Sequence, residues 1–305
     1  MGRLNIASRL LFSSSLVFLL LLSHCVLLSQ YSENYGNGLS TPLEDAMQKE
    51  SDVTSPGDEF DLSGDPYEIA GNEDPIKIAS QFYNRAVELH LAGNIFEAIT
   101  FYKNAIVLNP EIAAYHADLG EAHRAIGQTR EAIIELETAI ELEPSLVNAY
   151  TTLGVILDRE NLPHKAVKLH REAIKRDPTS YVAYNNLGHA YDSLGLIRAA
   201  IANYEKSIEL KQDFAPAYDN LGTDLMRIGR ADEAIDILKK CVNYAGEKHP
   251  QLGLYYNDLG AAYVMKNEFG SAYSAFEKAT KLAPGNADIQ RNFDFIHEHL
   301  YGENN

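Results

Sequence analysis

The sequence contains no tryptophan and only two cysteines, Cys25 and Cys241, far apart in a chain of 305 residues. A disulfide framework needs several cysteines at regular spacings, so none is indicated. Basic residues are also scarce. Lys and Arg number 26 against 43 Asp and Glu, for a formal net charge of -17. Phosphate backbones and anionic headgroups are held by clustered cations, so this balance argues against nucleic acid as a partner and against peripheral docking on acidic lipid. The sequence has no Gly-rich phosphate loop, nucleophile elbow or HExxH motif. Its ten His are scattered, and the pairs His164/His170 and His297/His299 lack companions at metal-ligand spacing. The expectation is a protein with no catalytic site and no cofactor.

The amino terminus departs from the rest. Arg3 and Arg9 flank an apolar stretch from Leu10 to Leu28, broken by Ser13, Ser14, Ser15, Ser23 and His24. A basic flank before a Leu-rich run is a secretory signal or an uncleaved signal-anchor. The run is just long enough to span a bilayer, whereas Leu16 to Leu22 alone would suit the core of a cleaved signal. No Ala-x-Ala site follows, and Ser23-His24-Cys25 is a weak cleavage match, so a retained anchor over 1–29 is favoured. Its positive flank predicts a cytoplasmic amino end, with the remainder across the membrane. Cleavage would instead give a secreted, periplasmic or lumenal chain. Ile6 stands where a myristoylation motif wants Ser or Thr.

Residues 30–75 hold 12 acidic residues and one basic residue, Lys49, with Gly, Ser and Pro between them. Low hydrophobicity with high charge buries too little surface to offset chain entropy, so this span reads as a flexible acidic linker. Asp58, Asp61 and Asp65 do not have the spacing of an EF-hand loop.

Beyond the linker the chain repeats. Pro110, Pro144 and Pro178 are each 34 residues apart. In that register Leu119-Gly120, Leu153-Gly154, Leu187-Gly188, Leu221-Gly222 and Leu259-Gly260 coincide, as do Ala98, Ala132, Ala166, Ala200, Ala234 and Ala272. Tyr184, Leu187, Gly188 and Tyr191 fall at i, i+3, i+4 and i+7, one face of a helix that Gly195 ends. Ala200, Tyr204 and Ser207 mark a second helix, and the small Gly188 and Ala200 suit close approach of the two. A hairpin of this kind cannot bury both faces alone, so the units must stack.

These residues resemble the tetratricopeptide repeat (TPR) family, whose unit runs large residue, Leu-Gly, Tyr, Ala, aromatic, Ala and Pro. Six units fit, over 79–112, 113–146, 147–180, 181–214, 215–252 and 253–286, and together with their lead-in they form a repeat region over 76–284. The usual Trp is replaced by Phe82, His116, Tyr150, Tyr184, Tyr218 and Tyr256. Arg85-Ala86 stands for Leu-Gly in the first unit. Gln212 stands for Pro and Ser207 for Ala in the fourth, and the fifth unit carries four extra residues. Ile289, Phe293, Ile296 and Leu300 are helically spaced and make 285–301 a capping helix. The resemblance implies an all-α fold, a right-handed superhelical solenoid of six hairpins plus the cap. Its first helices would line a concave groove that binds a protein partner as an extended segment or helix.

One column lies on those first helices. Asn84, Asp118, Thr152, Asn186, Asn220 and Asp258 precede the Leu position, and Asn185, Asp219 and Asn257 adjoin them. They resemble the asparagine ladder of the repeat domain in O-linked sugar transferases, where amides hold a peptide backbone by donating and accepting at once. The spacing alone serves equally for solvated polar residues on an exposed face. The family's carboxylate clamp for acidic chaperone tails needs inner Lys and Arg, and Asn84 and Asp118 stand where they would help, so that partner is discounted. Arg124, Arg159 and Arg227 lie late in three first helices, where a cation complements the helix dipole. The expected function is a membrane-tethered scaffold, adaptor or assembly factor, anchored through residues 10–28. The alternative is a recruiting module for an enzyme such as a glycosyltransferase, although no sequence after residue 301 remains for a catalytic domain.

Overall fold

In a computed structural model of the chain, the described residues are 74–302. The signal or anchor expected over 1–29 and most of the acidic linker expected over 30–75 lie outside them. Among the described residues all regular structure is helical. The helices are α1 (Pro75–Leu91), α2 (Ile95–Leu108), α3 (Ala113–Ala125), α4 (Thr129–Leu142), α5 (Val147–Arg159), α6 (Pro163–Arg176) and α7 (Tyr181–Ser193). They continue with α8 (Ile197–Leu210), α9 (Ala215–Arg227), α10 (Ala231–Ala245), α11 (Leu252–Met265), α12 (Phe269–Leu282) and α13 (Ala287–Tyr301). This is the all-α repeat fold expected, with α13 in the place of the cap. The described residues form two compact units, divided after Ala190.

Among the described residues side-chain caps open α1, α13 and α7, the last through Ser180 Oγ, which accepts from the Ala183 amide at 3.3 Å. Asp74 accepts from the Ile76 amide at 3.1 Å ahead of Pro75, and Asn286 accepts from the Asp288 and Ile289 amides, both at 3.1 Å. Such caps are worth about 1 kcal/mol each. Helices α2 to α6 and α8 to α12 begin without one. Packing, not capping, holds these inner helices, because each short helix gains most of its stability from its buried face.

In the unit ending at Ala190, α1 packs on α2, α3 on α4 and α5 on α6. Leu119 and Ala122 of α3 complete the core begun by Ala86, Val87, Leu89, Ala98, Ile99 and Tyr102. In the unit from Tyr191, the pairs are α9 with α10 and α11 with α12, and α13 closes on α12 through Ile296, Phe276 and Ala272. The second-helix alanines Ala98, Ala132, Ala166, Ala200, Ala234 and Ala272 are all fully buried. Ser207 and Cys241 occupy the other small position of that helix and are equally buried.

The Leu-Gly glycines explain themselves by contact. A Cβ on Gly120 would lie 2.8 Å from Leu136 Cγ, on Gly222 2.6 Å from Leu238 Cγ, and on Gly260 2.6 Å from Phe276 Cε1. On Gly154 it would strike the His170 ring. The residue that fills the space above the glycine is therefore sixteen positions later, on the second helix of the same hairpin.

The turn between the two helices of a hairpin is also periodic. Gly127 and Gly229 take φ of 76° and 78°, and Asn161 and Asn267, in the same register, take 57°. A side chain in this left-handed region costs about 1–2 kcal/mol, least for Asn, whose short polar side chain bonds locally. Gly229→Ala is expected to lose about 1 kcal/mol in thermal melts, while Asn161→Gly loses nothing. Equal melting temperatures for Gly229→Ala and the parent would refute this account of the turn.

Candidate functional site

The position held by Trp elsewhere works here as a tether. His116 Nε2 lies 3.0 Å from the Pro110 carbonyl, the Tyr150 hydroxyl donates to the Pro144 carbonyl at 3.4 Å, and the Tyr218 hydroxyl to the Gln212 carbonyl at 2.8 Å. Each partner is six residues back, so the substitution of Gln212 for Pro leaves the bond intact. His116 also pairs with Glu135 at 2.7 Å, a bond that raises its pKa. Arg176 stacks over the Tyr150 ring at 4.0 Å and donates to its hydroxyl at 2.7 Å.

The ladder columns are less open than a solvated face would be. Asp118, Asn185, Asn186, Asp219, Asn220, Asn257 and Asp258 are buried, and only Asn84 and Thr152 are half-exposed. Much of the ladder engages the chain itself. In the first unit the Tyr83 hydroxyl of α1 donates to Asp118 of α3 at 2.6 Å, and Asn185 donates to Asn186 at 3.5 Å. In the second unit Asn292 of α13 donates to Asn257 of α11 at 2.8 Å, and Asn257 donates to Asp258 at 3.2 Å. Asp219 of α9 shares a hydrogen bond with Asp258. The column is thus partly a set of ties between successive first helices.

Two of the late arginines, Arg124 and Arg227, are held in the same way, and the dipole reading of them is incomplete. Arg124 forks onto Glu121, with Nε at 2.7 Å. Arg227 pairs with Asp192 of α7 and, at 3.2 Å, with Asp224. Neither is a loose cation offered to an acidic tail.

Burial sets the protonation of these acids. Asp118 is raised to about 6 by desolvation, with the Tyr83 hydrogen bond pulling the other way. Asp224 is raised to about 8 by desolvation and by Asp192 beside it, against Arg227. Asp219 and Asp258 are raised by desolvation, and each feels the other. Asp158 is the exception. Burial pushes it up, but the hydrogen bond from His170 and the imidazole of His189 close by outweigh that and hold it low. His170 Nε2 lies 3.3 Å from Asp158 Oδ2 and His189 Nδ1 3.9 Å from it. Cys241 is buried, donates to the Ala215 carbonyl at 3.3 Å, and has its pKa raised by desolvation, as suits a packing residue.

Sequence reasoning missed Tyr83, Asp192 and Asn292, which tie the first helices. A signal existed. Tyr83 and Asp118, Asp192 and Arg227, and Asn257 and Asn292 are each 35 residues apart. That is one repeat plus one residue, and it brings donor and acceptor side by side on neighbouring first helices or, for Asn292, on the cap that follows the last of them. Among the described residues no group of three or more His, Cys, Asp or Glu is arranged to hold a metal ion, and no helix is long and apolar enough to cross a membrane.

Stacked two-helix units, four of them with a close glycine contact, and polar ties along the first helices define a helical-repeat protein. Tetratricopeptide-repeat family models match residues 113–146, 181–214 and 213–284, so the chain carries tetratricopeptide repeats over those residues. No curated protein matches it in sequence. Among solved structures, the chain is similar to the APC/C hetero-tetramer Cut9–Hcn1, with a TM-score of 0.66 at 15% identity over 76% of this chain and 45% of that one. The chain therefore spans less than half the length of that relative. It is also similar to PilW, a type IV pilus biogenesis factor, with a TM-score of 0.63 at 18% identity over 70% of this chain and 98% of that one. PilF of Pseudomonas aeruginosa gives a TM-score of 0.61 at 16% identity over 71% and 97% of the two chains. These likenesses are of fold. The class is one of protein-interaction scaffolds, generally without catalysis.

Proposed function

We propose that the chain is a membrane-tethered scaffold, an adaptor or assembly factor, whose first helices form a concave groove for an extended segment or helix of a partner protein. The observation that carries this reading is the recurrence of Asn and Asp at one position of the first helices in each unit, Asn186 in the one and Asn220 in the other. Buried amides held in place by their own helices need little reordering to bind a peptide backbone, which lowers the entropic cost of association. The tether rests on the apolar stretch from Leu10 to Leu28 behind Arg3 and Arg9, and on this reading the repeats lie across the membrane from the amino end.

The test is a pulldown from solubilised membranes with the full chain and with an Asn186→Ala, Asn220→Ala variant. The parent should enter the membrane fraction and recover a defined partner that the variant recovers at about tenfold lower yield, given about 0.7 kcal/mol for each of the two lost amide contacts. Equal recovery by both proteins rejects the column as the binding surface. A parent found wholly in the aqueous fraction rejects the tether.

A further inference from the structure

Seven acidic side chains are buried among the described residues, and five of them meet a cation, a hydroxyl or an imidazole supplied by the chain. Asp118 has the Tyr83 hydroxyl, Glu121 has Arg124, Asp158 has His170 and His189, and Asp192 and Asp224 share Arg227. Asp219 and Asp258 have only each other and the Asn257 amide. They stand on α9 and α11, neighbouring first helices of one unit, and both belong to the Asn and Asp columns.

The titratable groups that face them are Cys241 from α10 and Tyr255 from α11. Desolvation keeps the thiol and the phenol neutral, so neither supplies positive charge. From α13 comes the Asn292 amide, which donates to Asn257. Asp219 Oδ1 is shut off from solvent with no hydrogen-bond partner. Asp158 and Asp224 each keep one such oxygen too, but their other oxygen faces His or Arg. A buried carboxyl oxygen with no donor costs about 1–3 kcal/mol or more, so Asp219 Oδ1 is a standing acceptor for a donor that a ligand brings. The two residues are 8% and 5% exposed, so the pair lies close beneath the surface, where a long side chain can reach it with a small shift of its neighbours.

We propose that the Asp219–Asp258 pair receives the lysine or arginine side chain of a protein partner. The inference rests on the groove reading above and deepens it, because it names the chemistry of one partner residue. Two carboxyls this close do not both ionise in the free chain, so one proton is held between them at neutral pH. An ammonium or guanidinium placed there does the work of that proton and favours both carboxylates. Binding therefore releases up to one proton, and it strengthens as pH rises from mildly acidic toward 8. The other buried acids cannot serve in the same way, since each already has a cation, an imidazole or a hydroxyl donor of the chain in place.

The test selects random dodecapeptides displayed on phage against the full chain at pH 7.5, then measures synthetic copies by calorimetry in phosphate and in Tris. Enriched peptides should share one Lys or Arg. Its replacement by Gln should weaken binding at least about thirtyfold, and the two buffers should report release of a proton. An Asp219→Asn, Asp258→Asn variant should stay folded, because paired amides satisfy each other, and should lose both the preference for the cation and the proton release. Enriched peptides with no shared cation, bound equally by the variant, would overturn this inference and leave the groove standing. If no peptide is enriched, the groove reading fails and this inference falls with it.

Discussion

Gly222→Leu is expected to destabilise residues 191–302 by about 3 kcal/mol or more, seen as a fall in melting temperature of about 10 °C. The Cβ alone would sit 2.6 Å from Leu238 Cγ and 2.7 Å from Leu238 Cδ2. Leu238 is fully buried in the core that includes Leu221, Leu225, Ala234, Leu259 and Ala262, so it has nowhere to swing. Helix propensity works in the opposite direction. Leu is better than Gly inside a helix by somewhat under about 1 kcal/mol, which the overpacking exceeds. Gly270→Ala separates the two effects. Gly270 lies in α12 with nothing within 4 Å of a Cβ, so that change should be neutral or should stabilise by up to about 1 kcal/mol. A repeat array couples chiefly to nearest neighbours, so hydrogen exchange should place the loss in α9 to α11. A Gly222→Leu protein that melts with the parent would refute the close-contact account of every Leu-Gly pair in the chain.

The sequence made the repeat legible because its strongest constraints are steric and recur at one spacing. An alanine needed under a crossing helix leaves the same letter every 34 residues, and Ala98 through Ala272 are indeed fully buried. The substitutions were legible as departures but not as equivalents. Asn161 and Asn267 adopt the positive φ of the turn glycines, and Tyr218 bonds the Gln212 carbonyl as Tyr150 bonds that of Pro144. His170 looked like a scattered histidine, yet it fills the space above Gly154 where Leu136, Leu238 and Phe276 fill the matching ones. The columns on the first helices were found, but not their burial. Period fixes which residues share a face. How far a neighbouring helix covers that face depends on side-chain packing between repeats. That is why Tyr83, Asp192 and Asn292 escaped notice until they appeared against Asp118, Arg227 and Asn257.

The second large effect expected is on stability against pH: the repeats should melt at least about 5 °C higher at pH 5.5 than at pH 8. Asp118 is raised to about 6, Asp258 to about 7 and Asp224 to about 8, with Asp219 also well above the usual value. An unfolded Asp titrates near pH 4, so between about pH 4 and 8 the native state holds protons that the unfolded chain has lost. Stability falls with rising pH wherever the native state binds more protons, so this contribution is complete below about pH 4 and is lost as pH climbs through 6 to 8. His116, raised by its bond to Glu135, adds to the same slope. His90 and His249 oppose it, since burial lowers them, but they are two less enclosed groups against four fully or largely buried acids. Asp158 limits the gain on the acid side. It is held low by His170 and His189, so its stabilisation is lost as pH falls through its depressed range, and the optimum lies above that range. Asp258→Asn removes a carboxyl that must ionise at high pH. The variant should therefore lose less than the parent between pH 5.5 and 8, while matching it within a few degrees at pH 5.5, where Asp258 is already neutral. Parallel melting curves for the two proteins across that interval would show that these buried acids do not hold their protons.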